Sequence, residues 1–255
     1  ALPFRINEGF IVEKEGKEGV INLESKVIIP FEYDCLCSNF FDTTKSLTVA
    51  QNNGKCGVIN SKNETLIPFE YEHIEIFSNE TMFVHNFNKG YIIDFSNKKV
   101  CDKDFQFINS EGSDEYFCAM KNDKSGLIGK FGNIKIDFKY DDLFFINKNL
   151  LVANKNSKEG IIDVNENIIV PFKYWFKREK CLDKDNTLPA RRRIKGKLKW
   201  GLINLQDEVL IDFKFDILMP FNDRKYTLAI VNNKWMYVNK KGEILKIDID
   251  NYVIK

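Results

Sequence analysis

The stretch Gly19-Val20-Ile21-Asn22, followed by Ile29-Pro30-Phe31-Glu32-Tyr33, decides the fold because the chain returns to the same pattern along its length. Gly57-Val58-Ile59-Asn60 with Ile67-Pro68-Phe69-Glu70-Tyr71 is the closest second copy. The proline follows the glycine by 11 residues in both. Self-similarity at a fixed period is the signature of a repeat architecture, so the repeat is the first feature to interpret.

Further copies extend the pattern over nearly the whole chain. Pro171 again follows Gly160 by 11 residues, while Asp137 and Asp212 stand in the place of the proline. A degenerate copy is assigned to Gly90-Tyr91-Ile92-Ile93-Asp94. The seven units begin near residues 19, 57, 90, 126, 160, 201 and 235. This regular spacing predicts one continuous array of seven units.

The units have the character of β-strands. Their apolar runs are short, rich in Val, Ile, Phe and Tyr, and interrupted every few residues by Asn, Lys, Gly and Pro. We expect about four strands per unit: the glycine run, a run that the proline closes, a third run such as residues 74–77, and an alternating run such as residues 47–50. Asn-rich and Gly-rich turns then lead to the next glycine.

The period resembles that of the WG-repeat proteins, also called KWG-repeat proteins. In that family a Lys-Trp-Gly step starts a β-unit that carries an Ile-Pro-x-x-Tyr-Asp-like segment. Lys199-Trp200-Gly201 is the literal signature here, and Lys234-Trp235-Met236 keeps the tryptophan without the glycine. The other units have different residues before the glycine, so the whole period carries the resemblance. It implies a β-repeat fold and brings no catalytic residues with it.

The sequence therefore predicts an all-β protein forming a single repeat domain over residues 1–255. A seven-bladed β-propeller of four-stranded units is favoured, and an open, curved β-array is the alternative. The N-terminal segment 1–18 is a candidate to complete the last unit, since Phe10-Ile11-Val12 resembles a fourth strand. However, Leu2-Pro3-Phe4 and Ile247-Asp248-Ile249 compete for one position in that unit.

Composition excludes some function classes. Lys and Arg number 38 and Asp and Glu number 37, so any electrostatic function must be local. No apolar run reaches the ~18 residues of a transmembrane helix, which predicts no membrane span. Six cysteines show no consistent pairing among the units, and we expect most to be reduced and buried. This favours an intracellular protein, although a removed signal peptide remains open.

The segment from Lys177 to Lys199 departs most from the repeat, because it lies in the longest unit. Insertions in repeat proteins map to loops that often carry the binding surface. The segment combines many cations with flanking tryptophans. The candidate binding residues are Trp175, Arg191, Arg192, Arg193, Lys195 and Lys197. Such a patch suits an acidic protein surface, an anionic ligand or a nucleic-acid backbone. Alternatively, the charges protect an outer edge strand from association.

Other patterns favour structural roles. The Phe-x-Tyr pairs occur in nearly every unit, which predicts packing between successive units, with the tyrosine hydroxyls bonded in the next one. Cys35-x-Cys37 lacks the further ligands of a structural zinc site, so no metal or cofactor is predicted. No nucleophile motif, phosphate loop or zinc-protease motif is present. The chain is therefore predicted not to be an enzyme.

The favoured function is a non-enzymatic macromolecular binding module or scaffold, with another protein as the partner. One alternative is a binder of an anionic ligand or nucleic acid through residues 177–199. A second alternative is a structural subunit of a larger assembly.

Overall fold

The computed structural model describes residues 5–6, 9–37, 47–76, 80–86, 89–101, 103–109, 113, 115–178 and 182–245. Over these residues the chain forms seven small antiparallel sheets of three or four strands each, and the all-β prediction is confirmed. We number the sheets 1 to 7 in chain order.

The strands fall into the sheets in sequence order. In sheets 1 to 3 they are β1 (Arg5–Ile6), β2 (Gly9–Lys14), β3 (Lys17–Asn22) and β4 (Val27–Tyr33); β5 (Cys35–Leu36), β6 (Leu47–Asn52), β7 (Lys55–Asn60) and β8 (Thr65–Tyr71); and β9 (His73–Ile76), β10 (Thr81–Asn86) and β11 (Lys89–Asp94). In sheets 4 and 5 they are β12 (Phe107–Asn109), β13 (Tyr116–Lys121), β14 (Lys124–Gly129) and β15 (Ile134–Tyr140); and β16 (Asp142–Phe145), β17 (Leu150–Lys155), β18 (Lys158–Asp163) and β19 (Ile168–Tyr174). In sheets 6 and 7 they are β20 (Thr187–Ile194), β21 (Lys197–Asn204) and β22 (Val209–Phe215); and β23 (Ile217–Leu218), β24 (Tyr226–Val231) and β25 (Lys234–Asn239).

The sheets are out of phase with the sequence repeat. Sheets 2, 4 and 5 each join the last two strands of one repeat to the first two of the next. In sheet 2, for example, β5 pairs with β6, and β6 pairs with β7, which carries Gly57. The structural boundary therefore follows the Phe-x-Tyr segment instead of preceding the glycine. The short link from Tyr33 to Cys35 explains this, because the chain enters a new sheet directly after the tyrosine.

The N-terminal strand lies in sheet 1. β2 pairs residue by residue with β3, and its first two residues also pair with β1. Completion of the last repeat unit by residues 1–18 stays a prediction. Sheet 1 is thus built from its own sequence neighbours, joined by a two-residue turn. Residues 2–4 and 247–249, which compete in the sequence for one position, lie outside the described residues.

Two-residue turns join the central strands of the sheets. In the six described turns both central residues have positive φ, as at Asn53 (50°) and Gly54 (74°). This is the type I′ geometry, whose twist matches that of the flanking strands and which favours Asn and Gly. The Asn-rich and Gly-rich pairs of the sequence therefore fix the register of each hairpin.

The proline does not end its strand, contrary to the sequence prediction. In sheet 1, Glu18 pairs with Tyr33 and Val20 with Ile29, so three residues of β4 bulge opposite the single residue Gly19. Pro30 lies in this bulge, where its missing amide breaks no ladder hydrogen bond. The strand continues through the bulge to Tyr33, which brings the Phe-x-Tyr segment into the sheet.

The bulge explains the glycine of the repeat. A Cβ added to Gly57 would lie 2.8 Å from the carbonyl oxygen of Ile67 and 3.0 Å from the ring of Phe69. A Cβ added to the equivalent glycine of four other repeats would be equally crowded; these are Gly19, Gly126, Gly160 and Gly201. The glycine thus provides the space in which the bulged strand and its phenylalanine ring pack.

The third repeat is displaced by one residue from the sequence assignment. Gly90 pairs with His85, which corresponds to the pairing of Cys56 with Gln51 in sheet 2. Tyr91 pairs with Val84, which corresponds to the pairing of the repeat glycine, Gly57, in sheet 2. Gly90 is needed for another reason, because a Cβ there would lie 2.1 Å from the ring of Phe83. The glycine position of this repeat is therefore occupied by Tyr91.

Phe-x-Tyr segments pack successive repeats together, as predicted. Tyr33 stacks on Phe69 at 5.8 Å and Tyr174 on Phe213 at 5.8 Å between ring centroids. Such pairs stabilise by about 0.5–1.5 kcal/mol beyond their buried area. Four hydroxyls each donate to a residue of positive φ in the next repeat: Tyr33 to Asn63, Tyr71 to Asn97, Tyr140 to Glu166 and Tyr174 to Asp207.

The chain divides into two compact units, Ala1–Phe138 and Lys139–Lys255. In the first, Val58, Ile67 and Tyr71 belong to one apolar cluster and Phe105 and Phe117 to another. The second unit has its own clusters, one around Val170 and Tyr174, the other around Leu202 and Phe221. A single domain over the full length remains a prediction.

The cysteines do not follow the prediction that most are buried. Of the five described cysteines, Cys118 is buried, whereas Cys35 and Cys37 are exposed. Cys181 lies outside the described residues. No helix in the described parts of the chain has the length and apolarity needed to cross a membrane.

Candidate functional site

The basic segment forms a hairpin that projects beyond its counterparts. In sheet 5 the hairpin closes with Lys155 opposite Lys158, one pair beyond Asn154 and Glu159. In sheet 6 the ladder continues for two further pairs, to Ile194 opposite Lys197. Two extra pairs lengthen the hairpin by about 6–7 Å. We call residues 193–198 the hairpin extension.

The extension follows from the local sequence. Lys195 (φ 47°) and Gly196 (φ 81°) form the same type of turn as the other hairpins. The turn glycine lies five residues before Gly201, whereas Gly54 lies three residues before Gly57. The longer spacing is present in the sequence, but it indicates a longer hairpin only when the register of the two strands is known.

Three of the predicted cations lie on the hairpin extension. Arg193, Lys195 and Lys197 are exposed. Within the described residues none of the three forms a salt bridge; Arg193 donates to the carbonyl oxygen of Gly196 at 3.5 Å. Leu198, directly opposite Arg193, is 37% exposed. The extension thus presents three exposed cations, of which Arg193 shares a face with the partly exposed Leu198.

Arg191 and Trp175 lie outside the hairpin extension, side by side across sheet 6. Arg191 pairs with Trp200 on one side and with Trp175 on the other, so the three side chains share a face. The guanidinium of Arg191 lies 5.3 Å from the ring centroid of Trp200, and Lys158 lies 3.7 Å from that of Trp175. The tryptophan rings are therefore already in contact with cations of this chain.

Arg192 points to the opposite face. Its guanidinium lies 4.3 Å from the ring centroid of Phe213, which is itself stacked on Tyr174. The Nε atoms of Arg191 and Arg192 are both buried without a hydrogen-bond acceptor among the described residues. These two arginines are thus partly structural, since their side chains cover buried aromatic rings.

A half-buried carboxylate lies near Arg191. Burial raises the pKa of Glu159, while the amide of Phe176 and the charges of Arg178 and Arg191 act in the opposite direction. Arg178 forms a salt bridge with Asp142, and Lys199 forms one with Asp216. Several cations of the segment are therefore in salt bridges within the protein. The three cations of the hairpin extension form none among the described residues, although the charge of Lys197 helps to lower the pKa of Asp216.

The alternative of a protected edge strand does not hold at Arg191. Its amide and carbonyl groups both bond to Trp175, and β21 pairs with the other side of β20. The strand at this point is an inner one. The predicted patch therefore separates into the exposed extension, the row of Trp175 and Arg191, and Arg192 on the other face.

The remaining candidate chemistry gives no metal centre. His73 and His85, far apart in sequence, are direct partners on β9 and β10, which the sequence did not indicate. His73 Nε2 lies 4.0 Å from Glu75 Oε2. Over the residues that the structure describes, no three or more His, Cys, Asp or Glu side chains are grouped so as to hold a metal ion.

Comparison with known families matches the repeats. The family described as "WG containing repeat" matches residues 19–56, 57–84, 126–158 and 200–235, together more than half of the chain. The matches leave out the displaced third repeat and all of residues 159–199, which contain the hairpin extension. No curated protein matches the chain.

Solved structures show similarity at low sequence identity. The chain is similar to a crystal structure of the eukaryotic initiation factor, with a TM-score of 0.52 and 9% identity, over 92% of this chain and 72% of that one. It also matches Kluyveromyces lactis Hsv2 with loop 6CD replaced by a Gly-Ser linker (TM-score 0.43, 10% identity, 92% and 87% covered). A putative TolB of Agrobacterium tumefaciens has a TM-score of 0.36 at 9% identity, with 71% and 82% covered. The first of these likenesses supports a propeller-like β fold and says nothing of function.

Proposed function

Because this chain belongs to the family of proteins built from WG-containing repeats, we propose that it is a non-enzymatic binding module that recognises another protein through the hairpin extension. The observation that carries the proposal is the projection of residues 193–198 beyond the equivalent hairpins. A projecting element reaches a partner before the surrounding surface does, and its exposed side chains need no rearrangement to make contact.

The chemistry of the extension favours an acidic partner surface. Arg193, Lys195 and Lys197 offer charge-assisted hydrogen bonds to carboxylates, and Leu198 adds apolar area beside them. An apolar centre with polar groups around it is the usual composition of a protein interface. The segment suits a nucleic-acid backbone less well than an acidic protein surface, because Arg191 and Arg192 point to opposite faces and cover aromatic rings.

The experiment compares affinity capture by the natural chain with capture by R193S/K195S/K197S. Arg191 and Arg192 are left unchanged, because their loss would also remove ring contacts. K14S/K26S/K234S is the matched control: it removes the same charge from exposed lysines elsewhere. Captured proteins are identified by mass spectrometry at low and high salt, with and without nuclease.

We expect a partner that the natural chain and the control retain, and that the hairpin variant loses by about tenfold or more. An unchanged set of partners with the hairpin variant would contradict the proposal. Capture that disappears after nuclease treatment, and that weakens steeply with salt, would instead favour a nucleic-acid ligand.

A further inference from the structure

A cleft of about 590 Å³ opens among three loops of the unit Lys139–Lys255. One loop precedes β20, one lies between β23 and β24, and one follows β25. The walls contain five cations, Lys184, Arg224, Lys225, Lys240 and Lys241, and three carboxylates, Asp185, Asp223 and Glu243. The volume lies within the range of small-ligand sites, about 300–1,000 Å³.

Lys240 ties two of these loops together at the base of the cleft. Its Nζ atom lies 2.6 Å from Asp183 and 2.5 Å from Asp185. Asp183, whose side chain is 1% exposed, also accepts hydrogen bonds from the amide and hydroxyl of Thr187. The charge of Lys240 is therefore used within the protein, and its role is to hold the loops in position.

The other carboxylates in the walls are engaged by protein donors. Asp223 accepts the amide of Lys184 at 2.9 Å, which joins the first loop to the second. Glu243 accepts the side-chain amide of Asn239 at 2.6 Å. Each acidic group thus has a structural partner, and the loops are linked by the salt bridges of Lys240 and by the hydrogen bond between Asp223 and the amide of Lys184.

The remaining cations have no such compensation. The side chains of Lys184, Arg224, Lys225 and Lys241 are exposed, and none is in a salt bridge among the described residues. The walls carry five cations against three carboxylates, a net charge of +2, so a ligand of opposite charge gains favourable interactions with the four exposed cations. A guanidinium can also donate two parallel hydrogen bonds to a phosphate group.

We propose that this cleft binds a compact polyanion with two or more phosphate groups, held by Lys184, Arg224, Lys225 and Lys241. The excess of cations over carboxylates in the lining favours an anionic ligand with phosphate oxygens as acceptors. This site uses none of the residues of the hairpin extension, so it is independent of the proposed protein interface.

The experiment measures binding of tripolyphosphate by calorimetry to the natural chain and to R224S/K225S/K241S. Lys240 is kept because its side chain links two loops, and Lys184 is kept so that the cleft variant loses the same charge as the control. R193S/K195S/K197S is the matched control, since it removes the same charge outside the cleft. Circular dichroism and thermal unfolding establish that each variant is folded. A parallel arm uses phosphatidylcholine vesicles with and without cardiolipin, an acidic lipid with two phosphate groups.

We expect saturable binding that the cleft variant weakens by about tenfold or more and that the hairpin control leaves unchanged. Binding of free tripolyphosphate identifies a soluble ligand class, whereas cleft-dependent binding to the acidic vesicles alone identifies a lipid headgroup. Absence of binding in both arms, or equal weakening by the two triple variants, would overturn the proposal. Failure of the hairpin capture experiment leaves this result unaffected.

Discussion

Sheets 2 and 3 use different residues to place an aromatic ring against the tyrosine of the preceding repeat. In sheet 2 the repeat position is Gly57, and the ring of Phe69 from the bulged strand lies against it. In sheet 3 the same position is Tyr91, and the segment that should supply a phenylalanine has no ring in that place. The preceding tyrosine meets an aromatic ring in both cases: Tyr33 meets Phe69, and Tyr71 meets Tyr91.

The difference shows that the repeat keeps the position of a ring and not the identity of a residue. Glycine and phenylalanine form one device, because the ring needs the space that the missing side chain leaves. Tyr91 supplies the ring directly from the glycine position, so neither the glycine nor the phenylalanine is then required. In the third repeat, the replacement of the glycine by a tyrosine and the loss of the phenylalanine therefore depend on each other.

Gly57→Ala should produce the largest effect. The new Cβ would lie 2.8 Å from a backbone carbonyl oxygen, so either the bulge or the strand must move. We expect a loss of about 3 kcal/mol in the free energy of unfolding, measured with urea. The control is Gly54→Ala, which has open space but positive φ (74°) and should cost about 1 kcal/mol. Equal losses in the two variants would contradict the crowding argument.

Tyr91→Ala should have a smaller effect, because it removes a half-buried ring without introducing a clash. We expect a loss of about 2 kcal/mol in the free energy of unfolding. Tyr91→Phe keeps the ring and should cost less than about 1 kcal/mol, so this pair separates the ring from the hydroxyl. If the two variants lose the same stability, the comparison between sheets 2 and 3 fails.

The sequence predicted the repeat, the strand character and the stacking between repeats, because each depends on local composition and a fixed period. It misplaced the third repeat by one residue. Gly90 looks like the repeat glycine, and only the pairing of Tyr91 with Val84 shows which residue occupies the position. Strand register depends on partners distant in sequence, so a pattern of single residues did not specify it.

For the candidate site the sequence singled out residues 177–199 but did not show how the structure divides this segment. Alternation along β20 sends Arg191 and Arg192 to opposite faces, and this was accessible once the strand was assigned. Their contacts with Trp200 and Phe213 were not, because these rings come from other strands. The cleft around Lys240 was also missed, since its cations come from three separate loops.

The smallest effect is expected for the hydroxyl that links sheets 1 and 2. Tyr33→Phe keeps the ring stacked on Phe69 but loses the hydrogen bond to Asn63 (2.6 Å). We expect a loss of about 1 kcal/mol at pH 7, measured by urea unfolding. The chain itself contains a repeat without this hydrogen bond. Phe215 stands in the place of the tyrosine and has no hydroxyl, and Gly242 is the positive-φ residue in the place of Asn63 and has no side-chain acceptor.

The pH dependence provides the control for this hydroxyl. Burial, together with Glu32, raises the pKa of Tyr33 to about 12, above the value of about 10 in an unfolded chain. The unfolded state therefore loses the proton first, and the stabilisation is present below pH ~10 and lost as the pH rises to about 12. Tyr33→Phe lacks this titration, so the gap in stability between the natural chain and the variant should narrow over this window. A gap that stays constant from pH 9 to 12 would show that the phenolic proton of Tyr33 does not contribute.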